Sequence, residues 1–178
     1  YDHINNIAQI KSDQPYIYIA SYNGDGGLWE TNIQNEYRLG CTFTNAGNIR
    51  LPEKLKYLFS TNINVINSKI INMPYGIGDI KQFDTDKDWL CYARFSIWTS
   101  HVRPQIRSWC EAQPFIISEF SNSPEEQSEE TCNNFYRGLS RAKFTICPPG
   151  NGPDTYRVWE ALYLNCIPIV INCPLYQS

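Results

Sequence analysis

Residues 144–171 read FTICPPGNGPDTYRVWEALYLNCIPIVI, and the order of residue types within them decides the fold class. Phe144-Thr145-Ile146-Cys147 is a short apolar run closed by Pro148-Pro149-Gly150, the pattern of a buried strand. Gly150-Asn151-Gly152-Pro153 cannot extend a strand and reads as a turn. Asp154 or Thr155 can cap a helix over residues 156–164, and Asn165 suits a left-handed C-cap. Ile167-Pro168-Ile169-Val170-Ile171 is apolar throughout, as in a strand covered on both faces. The spacing predicts one strand–helix–strand unit of a parallel sheet, with a right-handed crossover.

Ligands of open parallel sheets sit at the carboxyl ends of the strands. A glycine loop there lets a ligand approach the backbone, and the following helix directs its positive end at the same place, which makes a phosphate site. Arg157, in the first turn, adds a full charge and a bidentate fork. Glu160 follows three residues later and shares that helix face. A carboxylate is repelled by phosphate, so Glu160 is expected to meet neutral hydroxyls such as those of a ribose. A nucleoside diphosphate satisfies both groups. The donor-binding candidates are Gly150, Asn151, Gly152, Thr155, Arg157 and Glu160. The competing reading of the same spacing is an ordinary surface ion pair between Arg157 and Glu160, worth about 0.2–0.5 kcal/mol.

The segment resembles the donor-binding segment of exostosin-like glycosyltransferases. Their pattern runs C-P-x-G, a spacer, a small polar residue, R, then E-A-L and G-C-I-P-V. Cys147-Pro148, Gly150, Thr155, Arg157, Glu160-Ala161-Leu162 and Cys166-Ile167-Pro168 carry the likeness. Asn165 stands where the family has glycine, and both residues tolerate a left-handed backbone. The resemblance implies an α/β, GT-B-like fold of two Rossmann-like parallel-sheet domains, with the donor in the cleft. For a chain of 178 residues it implies an incomplete N-terminal domain. It also implies inverting transfer of a sugar from a nucleotide-sugar donor to a glycan or other hydroxyl acceptor. No cofactor is then expected, the nucleotide sugar being a substrate.

Composition narrows the partners. A net charge of −3 gives no case for nucleic acid or for an anionic membrane surface. Twelve tyrosines and five tryptophans mildly favour a carbohydrate partner, although most such rings serve packing. The seven cysteines include no C-x-x-C pair, and Cys91, Cys147 and Cys166 fall in or beside predicted strands, where a thiol acts as a small hydrophobe. With no N-glycosylation sequon and no spanning segment in the sequence, a reducing, cytoplasmic location is expected.

Ahead of the decisive stretch, residues 1–14 are polar, and 15–20 read as a strand. That strand leads into Ser21-Tyr22-Asn23-Gly24-Asp25-Gly26-Gly27, either a ligand-facing loop or a plain exposed turn. If it faces the ligand, Asp25 and Glu30 are the candidate general bases by position, with His3 and His101 behind them. Residues 38–43 read as a short strand, 51–59 as a helix with Pro52 in its first turn, and 63–71 as a strand. Pro74 to Asp79, with Gly76 and Gly78, marks a boundary. The expected domains are an acceptor-side part over 1–78, a linker over 79–88, and a nucleotide-sugar-binding domain over 89–178.

Asp84-Thr85-Asp86 has the D-x-D form of a manganese site. It precedes a strand instead of ending one and lies among Lys81, Lys87 and Asp88, so it reads as solvated linker and no metal is expected. Strands are then expected over 89–93 and 115–118, with a helix over 103–110 between them. A second helix is expected from Ser123, its N-cap, to Arg141. Arg103 and Thr99 fall after the first of these strands and Ser118 at the end of the second. The resemblance places an arginine near the donor phosphates at the position of Arg103, and places Ser118 near the base. Two other classes compete with a transferase: a non-catalytic carbohydrate- or nucleotide-binding protein of the same fold, and a dehydrogenase, which G-x-G-x-x-G would have marked.

Overall fold

The computed structural model defines residues 15–20, 53–61, 67–120, 128–150 and 152–176, to which all structural statements refer. The chain divides into two units. The first takes in the defined residues up to Tyr75 together with 152–154 and 172–176, and the second those of Gly76–Gly150 and Thr155–Ile171. Both contain parallel sheets, the α/β, Rossmann-like character expected of the GT-B class.

In the first unit, Tyr16–Ala20 (β1), Leu55–Ser60 (β2) and Ile70–Asn72 (β3) form a parallel sheet in the order β1-β2-β3. The helix expected over 51–59 is therefore a strand. Its Leu55 and Leu58 are both fully buried although three residues apart, a helix-like spacing. The pairing explains this: Tyr16 is opposite Leu55, but Ile17 is opposite Tyr57. The extra residue bulges, and it returns Leu58 to the face that Leu55 occupies. Of the strand expected over 63–71, residues 63–66 lie outside the defined residues, and β3 begins at Ile70. Ahead of it Asn67 forms a turn, its Oδ1 accepting the Lys69 N–H at 2.9 Å.

In the second unit, Trp89–Ala93 (β4), Ile116–Ser118 (β5), Ala142–Cys147 (β6) and Ile167–Val170 (β7) pair in the order β5-β4-β6-β7, all parallel. Helices Arg103–Glu111 (α1), Glu129–Arg141 (α2) and Tyr156–Tyr163 (α3) connect them. Alternation along the strands sends side chains to two cores. Cys91, Ala93 and Ile146 pack with Ile106 and Cys110 of α1, and Tyr92 packs with Leu139 and Ala161 of α2 and α3. The helices thus change face where the strand order reverses, between β4 and β6, as right-handed crossovers require.

Several local contacts fix this arrangement. A Cβ at Gly138 would lie 2.5 Å from Tyr92 Cζ, so α2 can press on the fully buried Tyr92 ring only through a glycine. Lys87 Nζ donates to the carbonyls of Leu139 at 3.0 Å and Leu164 at 2.9 Å, placing one cation at the carboxyl ends of α2 and α3. The cap of α2 is Ser128, whose Oγ accepts the Thr131 N–H at 3.1 Å, rather than Ser123. Both serines precede two acids within a few residues, and periodicity does not distinguish them. Asn165 has the expected left-handed conformation, with φ of 56°. The expectation of a last strand covered on both faces does not hold. Ile167 and Ile169, 56% and 46% exposed, lie at the open edge of the defined sheet with only β6 beside them.

Candidate functional site

The reversal between β4 and β6 brings the segments after Ala93 and after Cys147 side by side. Pro148, Pro149 and Gly150 leave β6 and are buried. Because they are buried, the carbonyls of the two prolines need donors. Arg103, the first residue of α1 and only 5% exposed, supplies them. Its Nε donates to the Pro149 carbonyl at 2.7 Å and its Nη2 to the Pro148 carbonyl at 3.3 Å. Its Nη1 donates to the Ser96 carbonyl at 2.7 Å, and its Cζ lies 5.8 Å from the Phe95 ring centroid.

Gly150 is the meeting point. A Cβ there would lie 3.3 Å from Arg103 Nη2, 3.5 Å from Thr155 Cγ2 and 3.9 Å from Thr99 Oγ1. Thr155 is the N-cap residue of α3, in extended backbone, yet its side chain makes no capping bond. The Thr155 hydroxyl, the Thr99 hydroxyl and the Ser118 hydroxyl at the end of β5 are buried without hydrogen-bond partners. Arg157 Nε is buried and unpartnered too. These four polar atoms come from three successive strand–helix connections of one sheet. Buried polar groups are ordinarily paired, and such exceptions call for an explanation.

Arg157 and Glu160 do not form the surface ion pair of the competing reading. Arg157 lies over Phe135 of α2, with Cζ 5.1 Å from the ring centroid. Glu160 Oε1 instead accepts the Tyr136 hydroxyl at 3.3 Å. Burial pushes the Glu160 carboxyl above its ordinary pKa, with the Arg157 charge and the Tyr136 hydrogen bond opposing the rise. At the end of β6, burial pushes the Cys147 thiol up to about 12, and the charges of Arg157 and Arg103 pull the other way. Both guanidiniums therefore act electrostatically on one point of the sheet's carboxyl edge.

The structure brings together Thr99, Arg103, Gly150 and Thr155, and sets Arg157 and Glu160 one turn apart on α3. Gly152 and Asp154 are buried in the first unit, where the Asp154 carboxylate accepts the Tyr75 N–H at 3.1 Å. Asp25, Glu30, His3 and Asn151 lie outside the defined residues. His101 is exposed, as are Asp84 and Asp86. No group of three His, Cys, Asp or Glu residues able to hold a metal occurs among the defined residues. Sequence reasoning missed Phe135 and Tyr136, which hold Arg157 and Glu160. They come from a different helix, and no local spacing signals the contact.

A family model described as the Exostosin GT47 domain matches residues 29–177. The matched span contains Glu30 but not Asp25. No curated protein matches the chain.

Proposed function

The chain belongs to the exostosin GT47 family of glycosyltransferases, and on that premise we propose that its second unit binds the diphosphate of a nucleotide-sugar donor at the β4–β6 reversal. The observation that carries the reading is the set of buried, unpartnered Thr99, Ser118 and Thr155 hydroxyls with Arg157 Nε. Oxygen-rich anions and sugars satisfy hydroxyls and guanidiniums alike. Gly150 lets the phosphates approach the backbone, and Arg157 supplies the charge. Glu160 accepts from the ribose hydroxyls, and Ser118 lies toward the base.

The reaction we propose is a single displacement with inversion. The acceptor hydroxyl oxygen bonds to the anomeric carbon as that carbon's bond to the diphosphate oxygen breaks. The electron pair leaves with the diphosphate, and the acceptor's proton passes to a carboxylate base, assigned by sequence position to Asp25 or Glu30. Charge growing on the leaving diphosphate is met by Arg157 and the positive end of α3, so the proposed reaction is metal-independent. The acceptor is a glycan or another hydroxyl compound.

No helix among the defined residues is long and apolar enough to cross a membrane. Cys91, Cys110, Cys132, Cys147, Cys166 and Cys173 are free thiols, which supports the reducing, cytoplasmic placement we propose. Thiol counting on protein purified without reductant tests it.

The central test is thermal shift with uridine and guanosine diphosphates, followed by donor turnover across a panel of sugars and acceptors with and without chelator. Binding with turnover that survives chelation is the expected outcome. Binding with no turnover in any combination would replace the transferase by a nucleotide-binding protein of this fold, and strong inhibition by chelator would overturn the metal-independent step.

A further inference from the structure

Arg103 carries an inference beyond donor contact. A buried guanidinium needs compensating acceptors, and here they include three backbone carbonyls: Pro148 and Pro149 after β6, and Ser96 after β4. Pro148 and Pro149 offer no N–H to anchor the Pro148-Pro149-Gly150 segment, and Arg103 holds it through the carbonyls of both. One side chain from α1 thus ties both connections that meet at the strand reversal. Only a planar fork reaches acceptors in three directions from fixed positions. A lysine ammonium keeps the charge but presents its donors from a single flexible point.

We infer that Arg103 is a positioning residue of the donor site. It acts through the Pro148–Gly150 loop and holds Gly150 against Thr99 and Thr155, rather than acting as a ligand of the phosphates. This rests on the donor reading above for its functional consequence, but not for its structural one.

The test compares wild-type full chain with Arg103→Lys and Gly150→Ala, the second placing a methyl 3.3 Å from Nη2 against the same contact. The probes are inorganic pyrophosphate and uridine and guanosine diphosphates, titrated across a range of salt. Exchange of the Gly150 amide (in wild type and Arg103→Lys) and of the Thr155 amide is followed without ligand. Arg103→Lys is expected to weaken diphosphate binding about tenfold or more although the charge is kept, with an unchanged slope of log Kd against log salt. The two amides are expected to exchange faster, and Gly150→Ala to speed Thr155 exchange and weaken binding in the same way.

Wild-type affinity with wild-type exchange in Arg103→Lys would overturn the inference. So would weakened binding with unchanged exchange, which would make Arg103 a direct phosphate ligand. Should wild-type protein bind none of the probes, the donor reading fails, and exchange alone decides Arg103: faster exchange upholds its hold on the loop, and unchanged exchange removes it. If Arg103→Lys does not fold, the Thr155 exchange of Gly150→Ala decides in the same two directions.

Discussion

Replacing Arg157 by alanine separates a ligand-binding arginine from a structural one. Its Nε is buried with no partner, so truncation breaks no hydrogen bond of that atom. What folding loses is the contact with Phe135, 5.1 Å from Cζ to ring centroid, worth about 0.5–2 kcal/mol for a partly desolvated pair. In a chain of this size, about 1 kcal/mol moves the melting temperature by roughly 2–4 °C. Removing a desolvated, unpaired donor works in the opposite direction and shrinks that loss. Arg157→Ala is therefore expected to melt within a few degrees of wild type.

Binding should respond far more. One charge-assisted hydrogen bond contributes about 1.5–3 kcal/mol, and a fork making two contributes about 3 kcal/mol or more, a loss of roughly 150-fold in affinity. Thermal shift reads this directly. A ligand at 100 times its Kd adds about 2.7 kcal/mol of stability; weakened a hundredfold at the same concentration it adds only about 0.4 kcal/mol. The nucleoside-diphosphate shift seen in wild type should nearly vanish in Arg157→Ala, while the ligand-free melting temperature holds. An undiminished shift would remove Arg157 from the phosphate site. A ligand-free melting temperature lower by about 10 °C would equally refute the reasoning, because it would make the side chain a structural element of α2–α3 packing.

The other predictions use different contacts. Gly138→Ala places a methyl 2.5 Å from Tyr92 Cζ and should cost about 1–3 kcal/mol in denaturant unfolding; in a Tyr92→Leu background the added cost should shrink. Lys87→Met leaves the Leu139 and Leu164 carbonyls without their cation and should destabilise by about 1–3 kcal/mol, read from the same titrations. The Glu160 carboxyl has its pKa raised by burial, so between the ordinary carboxylate pKa and that raised value the native chain holds more protons than the unfolded one. Stability from this group is full at lower pH and is lost as pH rises through that window. Glu160→Gln should accordingly gain on wild type in melting temperature as pH rises from about 4 toward neutrality. The same variant should weaken nucleoside-diphosphate binding and leave pyrophosphate binding unchanged.

What could be read from the sequence was what a single segment dictates to itself. The apolar run ending at Cys147, the glycine–proline break, and the left-handed turn at Asn165 all follow from local backbone chemistry, and they placed β6, α3 and β7 within a residue or two. Where another segment sets the outcome, the local signal misled. Leu55 and Leu58 have helical spacing, but a bulge against β1 turns both inward from a strand. Ile167 and Ile169 look doubly covered, yet their exposure depends on what packs against their face of the sheet, which their own composition does not specify.

The site shows the same division. Arg157 and Glu160 could be singled out as candidates because a cation on the first helical turn behind a glycine loop, with a carboxylate one turn on, is a local pattern. Which hydroxyls remain without partners was not, because Thr99, Ser118 and Thr155 become orphans only when three connections converge. The case of Arg103 turns on this point. The family resemblance puts a cation beside the phosphates, whereas in the structure the same side chain donates to the buried carbonyls of Pro148 and Pro149. A guanidinium already holding three carbonyls contributes to an anion site through the loop it fixes and through its field, so its replacement by lysine should separate those two contributions where a change to alanine would remove both.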